Sequence, residues 1–249
     1  MEFGKLEGKL AVVTGGCGAL GRAICKALLA DGLRVAVADL ERAKPEEAAA
    51  SLGRGAMPMP LDVADPAAVA AAVAALRKAQ GDVDVLVNNA GILSNNKTVQ
   101  TEPEEWRRVM GVNLDGAFYL SRAVLPGMRA RRWGRIVNIC SLAMKSGGIT
   151  AGTAYTASKG GLSALTFSIA REVAGDGITV NGIAPAYIKT PMVTEQLSEA
   201  QRQALLKQIP VGRFLEPEEV ANVARFLVSP LSGFITGEII DVNGGLHFD

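Results

Sequence analysis

The sequence predicts a doubly wound α/β fold, a seven-stranded and mainly parallel sheet with helices on both faces. Three observations predict it. Short runs rich in Val and Ile alternate with longer stretches of helical periodicity, the pattern of repeated strand–helix–strand units. The short runs are nearly continuous in apolar character, as strands buried on both faces are. The first run leads into four clustered glycines, Gly15, Gly16, Gly18 and Gly21, and a helical pattern follows. Ligands of doubly wound sheets lie at such strand ends.

The elements follow in order. Strands are expected at Leu10–Thr14, Arg34–Ala38, Met57–Asp62, Asp84–Asn88, Arg135–Cys140, Thr179–Ala184 and Glu238–Val242. The first helix follows Gly21 and stops at Gly32, a good terminator. The next opens at Asp65 as N-cap with Pro66 at its first position, and the Ala-rich run Ala67–Ala75 is its packed body. Thr101 and Glu104 have capping-box spacing at the head of a third. Helices from Ala154 to Ala174 and from Glu218 to Leu227 complete the set. The stretch from Pro185 to Pro217 is longer and less regular, and such loops often act as lids or binding segments. No linker, repeat or low-complexity segment divides the chain. One domain, 1–249, is expected, with a substrate-loop or lid region at about 186–217.

Composition excludes several classes of function. The chain has 249 residues, ample for a sizeable core. Its 26 basic and 25 acidic residues give a net charge of +1, so no electrostatic grip on nucleic acid or anionic lipid is expected. The start, MEFGKLEGKLAVV, is no signal peptide, and no apolar run reaches the roughly 20 residues that span a bilayer. Cys17, Cys25 and Cys140 are too few and scattered for a disulfide framework or zinc site and are expected as small buried thiols. A cytoplasmic protein without metal, membrane or nucleic-acid partners is expected.

The glycine cluster answers to a chemical need. A helix N-terminus offers free N–H groups and partial positive charge to a dinucleotide pyrophosphate. Gly16-x-Gly18-x-x-Gly21 matches the dinucleotide fingerprint of a Rossmann fold, and Asp39 stands 18 residues beyond Gly21 at the end of the second strand. A carboxylate there accepts hydrogen bonds from a ribose 2′-hydroxyl and repels a 2′-phosphate. TGGCGALG also fits a second register, with Gly15, Ala19 and Gly21 at the key positions.

That second register resembles the Thr-Gly-x-x-x-Gly-x-Gly loop of the short-chain dehydrogenase/reductase family, with Ala19 replacing the middle glycine. Other segments are similar to that family over nearly the whole chain: NNAG at Asn88–Gly91, GVNLDG around Asn113, YTASK at Tyr155–Lys159, Ser141 after the fifth strand, and FITGEIIDVNGG near the end. Ala186 stands where the family has glycine, and the Ser141–Tyr155 gap is one residue longer than the commonest spacing. The resemblance implies a catalytic set of Asn113, Ser141, Tyr155 and Lys159. It implies a cofactor site at Gly15, Cys17, Gly18, Ala19, Leu20, Gly21, Asp39, Leu40, Asp62, Val63, Asn89, Ala90, Gly91, Tyr155, Lys159, Pro185, Ile188 and Thr190. Asp62 and Val63 would meet the adenine, and Ile188 and Thr190 the nicotinamide carboxamide. Relatives are usually homotetramers, so a homotetramer is expected, with the tail around His247 near a neighbouring subunit.

The chemistry is consistent residue by residue. Tyr155 and Lys159 share one helical face, and a nearby ammonium is expected to lower the phenol pKa from about 10. Tyr155 then exchanges a proton with the substrate oxygen and Ser141 stabilises the oxyanion. Asn113 either holds a water linking Lys159 to solvent or satisfies buried backbone groups. A serine nucleophile is disfavoured, because the one histidine is His247 and no Gly-x-Ser-x-Gly elbow surrounds Ser141. Asp39, with Glu41 nearby, favours NAD(H) over NADP(H), although Arg42 is close. The expectation is an NAD(H)-dependent secondary-alcohol/ketone oxidoreductase.

The substrate is less legible. Asn95, Asn96, Lys97, Lys145, Ser146 and Lys189 point to a polyhydroxylated or anionic molecule, and Met144, Tyr187 and Met192 to an apolar one. A sugar, polyol, hydroxy acid, steroid or cyclic alcohol all fit. A second reading is a 3-oxoacyl-[acyl carrier protein] reductase with Arg129, Arg131 and Arg132 as a docking face, although such enzymes usually use NADPH. A third is a non-catalytic nucleotide-sensing protein, which commonly lacks the tyrosine or lysine present here.

Overall fold

The structure is a computed structural model, described for residues 6–189 and 198–248. Seven strands form one sheet in the order β3-β2-β1-β4-β5-β6-β7: β1 Leu10–Thr14, β2 Arg34–Asp39, β3 Ala56–Pro60, β4 Val85–Asn88, β5 Gly134–Ile139, β6 Ile178–Pro185 and β7 Ile239–Val242. Every pairing among them is parallel. All seven predicted strands are present. β3 ends two residues early, because its Leu61 N–H already bonds Asp39 O across the edge and the chain then turns to cap the next helix. The order reverses at β1–β4, where a doubly wound sheet opens its ligand crevice.

The helices are α1 Ala19–Ala30, α2 Pro45–Leu52, α3 Pro66–Gln80, α4 Pro103–Met110, α5 Gly116–Arg131, α6 Ala143–Ser146, α7 Thr153–Val173, α8 Glu199–Leu206 and α9 Pro217–Val228. The two larger hydrophobic clusters lie one on each face of the sheet, and a small third one gathers Ala117, Cys140, Leu162, Ala184 and Ile239. Leu20, Ile24 and Leu28 of α1 join residues of α9 and one sheet face. Val69, Val73 and Leu76 of α3 join α5, α7 and the other face. The i, i+4 spacing makes this possible, and each such buried side chain contributes about 1.5–3 kcal/mol.

The caps divide. Asp65 accepts from the N–H groups of Ala67 and Ala68, as expected. The capping box at Thr101 and Glu104 does not form. Glu102 takes the N-cap position, and the Thr101 hydroxyl instead donates to the carbonyls of Asn96 and Lys97. A capping box stands at Glu216 and Glu219 instead. The stretch expected to be irregular after Pro185 carries α8. Thr190 and Met192 lie outside the described residues.

Candidate active site

The crevice begins at the glycine loop. Thr14 ends β1, and its hydroxyl accepts from the N–H groups of Asn89 and Ala90 at 2.9 Å. Asn89 Nδ2 donates to Thr14 O at 2.8 Å and to Gly15 O at 3.2 Å. These bonds tie the end of β4 to the start of the loop. Gly15 turns the chain with φ +62°. A Cβ on Gly21 would lie 2.1 Å from Gly15 O, whereas one on Gly18 would meet nothing nearer than 3.5 Å. The longer loop register therefore describes the backbone, and Ala19 opens α1 with an exposed side chain.

Asp39 ends β2 against this loop. Its carboxylate accepts from Cys17 N–H at 3.0 Å and Leu40 N–H at 2.9 Å. Burial and the Asp39 carboxylate push the Cys17 thiol up to about 11. Cys17 is half-buried rather than buried, because the loop it sits on forms the open crevice wall; Cys25 and Cys140 are buried, and all three are free. Asp62 is exposed beyond β3. Val63 belongs to the core, where a Cβ on Gly116 would press against it at 2.9 Å. The loop cradle, the carboxylate at β2 and the open strand ends suit a dinucleotide.

The proposed chemical groups gather at the ends of β4 and β5 and on α7. Lys159 is 3% exposed, and its Nζ donates to Ile139 O at 2.7 Å. It lies 5.8 Å from the centre of the Tyr155 ring. A Cβ on Gly91 would stand 3.5 Å from this Nζ and 3.4 Å from Asn113 Oδ1. Asn113 sits in a π-helical turn, Gly111–Asp115, between α4 and α5, a feature common at functional sites. Its amide accepts from Ile92 N–H at 2.8 Å and donates to Ile92 O and to Ser158 Oγ. Of its two expected roles, the structure displays the satisfaction of backbone groups. Ser158 in turn donates to Tyr155 O at 2.7 Å.

The electrostatics depart from the sequence reading. Burial pushes the Tyr155 phenol up, while its contact with the Ser141 hydroxyl opposes the rise. Burial lowers Lys159 to about 8. The expected lowering of Tyr155 by Lys159 does not dominate, because both groups have lost water and the ammonium is turned to Ile139 O. Tyr155 is thus held in its protonated form at neutral pH.

Several expected substrate contacts are used internally. Lys97 donates to Gly148 O and Ala151 O, Lys145 pairs with Asp241, and Lys189 pairs with Glu216. Arg129 pairs with Glu172 and Asp176, Arg131 with Asp82 and Asp84, and Arg132 donates to Gly175 O. The expected basic docking face is therefore matched by the protein's own acids and carbonyls. The tail folds back, with His247 O accepting from Asn243 Nδ2. Sequence reasoning missed Thr14 and Ser158 as organising residues, although both lie inside the quoted motifs TGGCGALG and YTASK.

A family model described as enoyl-(acyl carrier protein) reductase matches residues 17–247. The chain is 42% identical over 243 residues to a 3-oxoacyl-[acyl-carrier-protein] reductase FabG of Vibrio cholerae, covering 97% of this chain and 98% of that protein. Matches of 41% to the protein of that name in Escherichia coli and 42% to the one in Pseudomonas aeruginosa have the same coverage. The chain belongs to the short-chain dehydrogenase/reductase family. It is an oxidoreductase that works with a nicotinamide cofactor. The first reading, a dehydrogenase of sugars, polyols, hydroxy acids or cyclic alcohols, is overturned by these full-length relatives, all named for reduction of 3-oxoacyl chains. Among the described residues no helix is long and apolar enough to cross a membrane, and no acidic, histidine or cysteine cluster is arranged to hold a metal.

Proposed function

We propose that this protein reduces 3-oxoacyl thioesters to 3-hydroxyacyl thioesters with NADH. The full-length identity to 3-oxoacyl-[acyl-carrier-protein] reductases carries the reading. The site supports it: a protonated Tyr155 beside the Ser141 hydroxyl suits delivery of a proton to a ketone oxygen.

The glycine loop at Gly15–Gly21, Asp39, Leu40, Asp62, Val63, the segment Asn89–Gly91, Lys159, Pro185 and Ile188 would hold the cofactor. When bound, the nicotinamide supplies the hydride. Ser141 donates a hydrogen bond to the 3-oxo oxygen and offsets the charge that develops there. Tyr155 gives that oxygen its proton. Lys159 recharges the phenol from its buried position. Asn113, through Ile92 and Ser158, fixes the loop and helix turn on which these groups sit.

The choice of NADH rests on Asp39. Its carboxylate is anchored by two backbone N–H groups beside the loop and forms no ion pair among the described residues. A 2′-phosphate would meet that uncompensated charge. We further infer one catalytic unit over 1–249, with 186–217 framing the substrate, and a homotetramer, for which Phe118 of α5 and Phe167 of α7 are left half exposed.

Stopped assays with 3-oxobutanoyl and 2-butenoyl thioesters test the reaction. Consumption of NADH with the first and not the second supports it. Turnover confined to the second would move the protein to the enoyl reduction named in the family model's description.

A further inference from the structure

The loop between Ser141 and Tyr155 connects two groups of the candidate site, and a lysine from another loop grips its middle. Lys97 lies beyond β4, and its Nζ donates to Gly148 O at 2.7 Å and to Ala151 O at 2.6 Å. Two of the three N–H donors of an ammonium are thereby committed to backbone oxygens. Gly147 and Gly148 hold left-handed backbone, with φ +74° and +76°, which glycine adopts at no steric cost. A Cβ on Gly148 would collide with Thr156 Oγ1 and crowd Ala151 O, so the loop closes tightly where the ammonium binds it.

The loop runs directly into α7, and that helix has no side-chain cap: its N-cap is Gly152. A helix start leaves its leading N–H groups without intrahelical partners. Here the segment around Lys97 supplies them. Gly152 N–H donates to Ser94 O at 2.6 Å and Thr153 N–H to Asn96 O at 3.0 Å, and the hydroxyls of Thr98 and Thr153 meet at 3.0 Å. A Cβ on Gly152 would collide with Asn96 O, so only glycine permits this approach. The segment is itself fastened from α4, where the two oxygens of Glu105 accept from Ser94 Oγ and Asn96 Nδ2. Tyr155 is the third residue of α7, inside the turn that this segment caps.

We propose that Lys97 is a positioning residue for the reaction: by clasping Gly148 O and Ala151 O it holds the first turn of α7 in register and sets the Tyr155 phenol beside Ser141. This rests on the reading above, in which Tyr155 protonates a 3-oxo oxygen. Without the ammonium, Gly148 O and Ala151 O turn to water, the loop loosens and the first turn of α7 frays. A displacement of about 1 Å at a reacting group costs on the order of 100-fold in rate. The cofactor groups at Gly15–Gly21 and Asp39 lie on other elements, so cofactor binding persists. Methionine keeps much of the length of lysine and has no donor, whereas the planar fork of arginine can donate to two carbonyls.

The test compares Lys97→Met and Lys97→Arg with the wild type, using 3-oxobutanoyl-coenzyme A and NADH together with native-state hydrogen exchange. In Lys97→Met, kcat should fall by about tenfold or more, while KM and the Kd for NADH stay within about threefold. Amides of residues 152–156 should exchange about tenfold faster or more, with β5 and the rest of α7 keeping their protection. Lys97→Arg should recover most of both losses. An unchanged kcat overturns the proposal, as does a lower kcat with unchanged exchange at 152–156. A loss of NADH affinity and of β5 protection in step with kcat marks a general structural role and also overturns it, as does an Arg variant no better than Met. If Lys97→Met does not fold, Glu105→Ala loosens the same segment from α4 and is judged by the same criteria. A wild type that reduces no 3-oxo thioester defeats the underlying reading, and the exchange comparison then still decides whether Lys97 holds the first turn of α7.

Discussion

Replacing Lys159 with Met should make the protein more stable and nearly inactive. Lys159 is buried, and its pKa is lowered from 10.5 to about 8, so holding its charge costs roughly 3 kcal/mol at neutral pH. Methionine removes that cost at similar volume. It also leaves Ile139 O without the 2.7 Å bond from Nζ, a loss of about 1–3 kcal/mol. The balance is a net gain of about 0–2 kcal/mol, a rise in Tm of a few degrees for a chain of this size. The pH dependence identifies the cause. The folded pKa lies below the unfolded one, so the folded chain binds fewer protons between about pH 8 and 10.5. The penalty is complete below pH 8 and is relieved as pH rises toward 10.5. Thermal unfolding of both proteins from pH 7 to 10 should therefore show the wild type gaining on the variant above pH 8. A difference that stays flat across that range would refute the reasoning, as would a reductase rate that survives the substitution.

Other outcomes follow from the same geometry. Asp39→Ala should narrow the preference for NADH over NADPH by about tenfold or more, since like-charge opposition is worth several kcal/mol; parallel kcat/KM measurements decide it. Gly21→Ala should weaken cofactor binding and lower stability by about 1–3 kcal/mol, because its methyl would drive into Gly15 O. Gly18→Ala, with 3.5 Å of room, should be nearly silent in the same titration and melt. Reductase kcat should decline above about pH 8 as Lys159 loses its proton, while the raised phenol of Tyr155 stays protonated through neutrality.

Much of the fold was legible because its signals are local. Apolar runs bounded by Gly, Pro and Asp located all seven strands, and Asp65-Pro66 announced its helix. Thr101 misled because a hydroxyl at cap spacing has a competing use, here closing the preceding turn. The nearness of some candidate groups was readable from spacing, as with Tyr155 and Lys159 four residues apart on α7. Their electrostatics were not, because desolvation depends on what packs around a group. The same holds for Arg129, Arg131 and Lys97: a sequence displays their charge, and only tertiary structure shows which carboxylates and carbonyls take it up. The proposed substrate class rests on full-length similarity to 3-oxoacyl-[acyl-carrier-protein] reductases, since no single loop residue announces a thioester.

The most direct test is the rate of 3-oxobutanoyl thioester reduction by Tyr155→Phe, with NADH binding followed separately. The phenol's contact is with Ser141, so the variant should fold and bind cofactor normally. It should lose about 100-fold or more in kcat, with 3-hydroxybutanoyl product falling in step. A folded, cofactor-binding variant that reduces the thioester at the wild-type rate would contradict the account.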